Sequence, residues 1–81
     1  MLSKREKKAA IGRAYALAMR AYAAMCRSPG LFSDRGIAAD KSLIGKFIGD
    51  FRRNKVTYAK AQAAAGHAAS VLQKMGEKPA N

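Results

Sequence analysis

An 81-residue chain has room for one small domain with one core, and 18 of its residues are alanine, so only 22 larger apolar side chains remain to stabilise it. Sixteen Lys and Arg against five Asp and Glu leave a formal charge of +11, which excludes a chain indifferent to charge and points to a polyanionic or acidic partner. A lone cysteine excludes an internal disulfide and makes the cytoplasm the default compartment, while no uncharged run approaches the roughly 18 residues needed to cross a bilayer.

The first predicted element is a helix over residues 3–27. Ile11, Tyr15, Ala18, Tyr22 and Met25 recur at helical spacing and form an apolar stripe, while Arg13, Arg20 and Arg27, seven residues apart, line up on the other side. Ser3 and Glu6 make a Ser-x-x-Glu box, in which each side chain satisfies the other's backbone amide. Pro29 closes the helix by driving Ser28 out of helical geometry. Cys26, next to Met25, is expected to pack with the apolar stripe as a small hydrophobe. Residues 4–8, Lys-Arg-Glu-Lys-Lys, place cations at the positive end of the helix dipole. That run reads either as a solvated end or as an arm that follows a phosphate backbone.

Residues 28–39 read as a connection punctuated by Pro29, Gly30 and Gly36, with Leu31 and Phe32 tucked over the core. Asp40 is expected to cap a second, shorter helix over about 40–53, with Asp34 as an earlier alternative start. Leu43, Ile44, Phe47, Ile48 and Phe51 are the densest group of bulky apolar residues and the expected heart of the core. The reverse face carries Lys41, Gly45, Gly49, Arg52 and Arg53, with Lys46 at its edge. Glycine inside a helix costs about 1 kcal/mol relative to alanine. Gly45 and Gly49 therefore mark a close-approach surface, for a crossing helix or for a phosphate backbone.

Lys55 lies in a short basic turn, Thr57 caps a third helix over about 57–75, Gly76 stops it, and residues 76–81 are expected to be a disordered tail. Tyr58, Ala61, Ala65, Ala68, Leu72 and Met75 alternate three and four apart. Such a stripe, mostly alanine, suits a helix lying close along the first one or along its own copy. A break at Gly66 would make a helix-turn-helix, but the stripe passes through Gly66 without interruption. The fold expected is an all-α, small three-helix bundle, long–short–long, completed by homodimerisation.

Chemistry is thin in this inventory. Glu6, Asp34, Asp40, Asp50 and Glu77 show no pairing for acid–base work, Cys26 and His67 stand alone, and no metal-ligand spacing or phosphate-cradling glycine loop occurs. No enzyme activity, metal or cofactor is therefore expected. The leading expectation is a non-catalytic nucleic-acid-binding protein that grips phosphates through Arg13, Arg20, Arg27, Lys46, Arg52, Arg53 and Lys55 with little base readout. A duplex is favoured because Tyr15 and Tyr22 belong to the core stripe, which leaves Tyr58 as the one conceivable stacking platform. The alternative is a small protein-binding inhibitor or adaptor that docks a cationic helical surface on an acidic or nucleic-acid-binding site of a larger complex. Phage-encoded antagonists, anti-CRISPR proteins among them, are of this size, an analogy with no motif behind it.

Overall fold

A computed structural model describes residues 1–27 and 35–76, with the backbone alone for 35–39. The expectations for Leu31, Phe32, Asp34 and the tail from 77 onward lie outside the described residues. Three helices, α1 (Lys4–Arg27), α2 (Arg35–Arg52) and α3 (Tyr58–Lys74), form an all-α bundle, with no strand among the described residues. None of these helices is long and apolar enough to cross a membrane.

The helix ends follow the local chemistry of the sequence. The Ser3 amide donates to Glu6 Oε1 and the Glu6 amide to Ser3 Oγ, both at 3.2 Å, so two first-turn donors are satisfied reciprocally. Thr57, in extended backbone, accepts from the Lys60 amide through its hydroxyl at 3.2 Å and opens α3. Gly76, with φ of +78°, follows the last turn of α3 and donates its amide to the Gln73 carbonyl at 3.0 Å. Between α2 and α3 the chain turns at Asn54, whose φ of +58° is a left-handed conformation that asparagine tolerates better than most residues. The Lys55 amide reaches back to the Asp50 carbonyl at 2.9 Å to fix that turn.

One boundary differs from expectation. The second helix begins at Arg35 rather than near 40, at the earlier of the two starts the sequence offered, and, at 18 residues, matches the 17 of α3. Asp40 therefore sits inside α2 rather than at its cap. Its carboxylate faces α3, with Oδ1 2.8 Å from His67 Nδ1, so a tertiary partner replaces the capping role. At the other end of the connection, α3 is continuous through Gly66, which removes the helix-turn-helix parse.

Side-chain pairings set the topology. Tyr15 stacks on Phe51 at a centroid separation of 3.9 Å, and farther along α1 Tyr22 lies against Gly45, so α1 and α2 run antiparallel. Asp40 meets His67 while Asp50 and Val56 share a groove with Lys60, so α2 and α3 are antiparallel as well. It follows that α1 and α3 are parallel, and theirs is the most extensive helix–helix contact.

That contact is built from alanine. Ala14, Ala18, Ala21 and Ala24 of α1 and Ala61, Ala64 and Ala68 of α3 are buried, with Met25, Ile44, Phe47, Ile48, Val71 and Leu72 filling the rest of the core. Small side chains let the two axes approach closely, which rotates α1 toward α3 relative to the expected stripe. Ile11, Tyr15 and Tyr22 consequently stand half-buried at the edge of the core rather than at its centre. Two further expectations fall to the same geometry. Cys26, on the far side of the rotated stripe, is exposed rather than packed with Met25. Leu43, at the margin of the α2 face centred on Ile44, Phe47 and Ile48, is 48% exposed. The alanine stripe of α3 is covered by α1 of the same chain, so its burial requires no second copy.

Gly45 is a genuine close approach. A Cβ placed there would lie 3.2 Å from Cε2 of Tyr22, whose ring also carries Lys41 Nζ at 5.6 Å from its centroid. At Gly49 the nearest atoms belong to the Arg53 guanidinium at 3.4 Å, so a side chain from the turn that follows α2, not a crossing helix, covers it.

Candidate nucleic-acid interface

All seven candidate cations, Arg13, Arg20, Arg27, Lys46, Arg52, Arg53 and Lys55, are exposed. The fold does not gather them into a single patch; it sorts them into three places. The α1 row is the longest. Arg13, Arg20 and Arg27 recur every seven residues and so span about 21 Å of helix. Arg13 and Arg20 line a groove of 580 Å³ along the α1–α3 seam, floored by Ala14, Leu17, Ala61 and Ala65, with Tyr58 and Gln62 on the α3 side. Rotation of α1 toward α3 is what brings the row to this seam. Arg27 stands in the last turn of α1, where a cation also complements the helix dipole.

The second group sits at one pole of the bundle. Arg52 ends α2, and Arg53 and Lys55 occupy the turn that follows. Because Tyr15 stacks on Phe51 and receives a hydrogen bond from Arg52 Nε at 3.3 Å, that turn lies toward the N-terminal end of α1. Tyr58, the first residue of α3, shares its groove with Ala10 and Arg13. The turns of α1 before Ala10 therefore extend past the start of α3, exposed from Met1 to Ala9, and they carry Lys4, Arg5, Lys7 and Lys8. The cationic first turn that the sequence singled out thus lies at the same end of the bundle as the Arg52–Lys55 turn. Lys46 stands apart in a separate groove between α2 and α3.

The acids offer little neutralisation. Glu6 is held in the Ser3 box, where the Ser3 amide first and the Ser3 hydroxyl second keep its carboxyl below the ordinary glutamate range. Asp40 is engaged by His67, and Asp50 pairs with Arg53 at 2.7 Å. Even if each of the five acids neutralised a separate base, eleven cationic side chains would be left over.

Aromatic rings are equally occupied. Tyr15 is covered by Phe51, Tyr22 lies over Gly45 beneath Lys41, and half-buried Tyr58 accepts a hydrogen bond from Gln62 Nε2. Tyr15 and Tyr22 are thereby committed to contacts within the bundle, while Tyr58, bonded through its hydroxyl, lines the α1–α3 groove. Tyr58 and Gln62 as neighbours of the arginine row were not legible from the sequence, because the phase of α3 against α1 decides which side chains share a seam. No group of three His, Cys, Asp or Glu among the described residues is placed to hold a metal ion. Comparisons of the chain with family models, with curated proteins and with solved structures return no match.

Proposed function

We propose that this chain is a non-catalytic, strongly basic protein that binds nucleic acid by gripping the phosphate backbone of a duplex, with little sequence readout. The observation that carries the reading is the placement of charge: in a chain of formal charge +11 all seven candidate cations are exposed, with Arg13, Arg20 and Arg27 in a row along α1, Arg52, Arg53 and Lys55 at one pole, and Lys46 apart from both. Such a surface displaces condensed counterions from a duplex, which supplies affinity without base contacts. The seam row of three arginines is long enough to meet several phosphates of one strand. Engagement of Tyr15 and Tyr22 within the bundle leaves Tyr58 as the one tyrosine at the groove, which favours a duplex over a single strand, since single-strand binders stack successive bases on several open rings. An exposed lone thiol at Cys26 fits work in a reducing compartment such as the cytoplasm.

Fluorescence anisotropy with labelled duplexes of unrelated sequence and with a single strand of equal length tests this reading. Duplexes should bind alike, more tightly than the single strand, and freshly purified protein should carry a raised 260/280 absorbance ratio that a high-salt wash removes. Failure to bind any duplex at physiological ionic strength would shift the role of the cationic surface to an acidic protein partner.

A further inference from the structure

The groove between α2 and α3 is not used by a phosphate grip. Its floor is apolar, formed by Leu43, Phe47, Val56 and Ala64, and its rim carries Lys46 and Lys60. Leu43 departs most from what the sequence leads one to expect: it belongs to the apolar cluster of α2, yet 48% of it faces solvent at this groove. The exposed part of Leu43 is thus an apolar contact point flanked by two lysines. Two other titratable groups line the groove, and both are already engaged, Asp50 by Arg53 and His67 by Asp40. Neither lysine has an acidic partner among the described residues, so the rim is left positive.

We propose that this groove seats an apolar side chain from an acidic segment of a partner protein, with Lys46 and Lys60 pairing to carboxylates that flank the inserted residue. Volume and charge select this occupant. At 190 Å³ the groove falls below the roughly 300–1,000 Å³ of small-molecule sites and suits one or two side chains. A polynucleotide satisfies the rim but leaves the floor wet. A second copy of this chain brings a net +11 surface against another, which like-charge repulsion opposes. An amphipathic acidic segment satisfies floor and rim together, in the manner of helix-in-groove recognition.

The test uses two labelled helical peptides of equal negative charge, one with Leu at i and i+4 between glutamates and one with both Leu replaced by Ser. At physiological ionic strength the full-length chain should bind the Leu peptide at least about tenfold more tightly. Leu43→Asp, at an exposed position, should abolish that preference while leaving duplex binding and the circular dichroism spectrum unchanged; Leu43→Ser should weaken it partially. Lys46→Glu with Lys60→Glu should weaken both peptides. Equal binding of the two peptides, or a preference that survives Leu43→Asp, would overturn the proposal. So would a dimer in sedimentation that Leu43→Asp dissolves, because the occupant would then be a second copy. The same holds if the Leu peptide binds only after Leu31→Ser and Phe32→Ser, which would make the groove a seat for the chain's own connection.

Discussion

Two glycines in one helix separate crowding from propensity. A Cβ at Gly49 would meet only the movable end of Arg53, so Gly49→Ala should stabilise the fold by about 0.5–1 kcal/mol through lower backbone entropy in the unfolded chain. At Gly45 the same gain is opposed by the Tyr22 ring, which must give way by a few tenths of an ångström, so Gly45→Ala should raise the urea midpoint less. Equal gains would mean that the ring yields freely and that Gly45 is not a close-approach position. A second residue-scale effect concerns pH. Hydrogen bonds in the Ser3 box depress the Glu6 carboxyl below its ordinary value of 4.5. Its capping contribution is therefore complete above that value and is lost as pH falls through the lowered one. Amide exchange at the first turn of α1 should speed up over that acid window in the native chain and show no such step in Ser3→Ala. The caps at Ser3 and Thr57 were legible because they are local chemistry. The exposure of Leu43 and Cys26 was not, because it depends on how far each helix rotates toward its neighbours.

Helix–helix contact distance governs the elements. Ala68 is fully buried in the α1–α3 seam, so Ala68→Leu should force the axes apart and cost about 1–3 kcal/mol. Ala65, one turn earlier and half-buried at the floor of the groove, has space beside it, so Ala65→Leu should cost much less. Thermal or urea unfolding of the pair checks the order; equal costs would mean that the stripe is phased as its heptad spacing alone implies, with Ala65 as deep in the seam as Ala68. Periodicity located α1 and α3 to within about a residue because caps and stops flanked each apolar stripe. It left the start of α2 open between Asp34 and Asp40, which are equivalent cap residues in local terms, and favoured the later one. What distinguishes Asp40 is His67, 27 residues away, and no local pattern reports such a partner.

At the scale of the whole molecule, composition announced the charge but not its arrangement. Up-down-up topology sets the N-terminal turns of α1 at the same end of the bundle as the Arg52–Lys55 turn and lays Arg13 and Arg20 along the α1–α3 seam. It also separates Lys46 from both, which spacing along the chain did not reveal. Central to the proposed function is that the α1 row grips phosphates. The most direct measurement compares the wild type with the Arg13→Gln, Arg20→Gln, Arg27→Gln triple variant, each titrated against duplex DNA over a range of salt by fluorescence anisotropy. Circular dichroism serves to confirm that the helices survive. Phosphate gripping predicts weaker binding to every sequence alike and a plot of log K against log salt flatter by about 0.9 for each lost contact. Identical salt slopes for the wild type and the variant would contradict it.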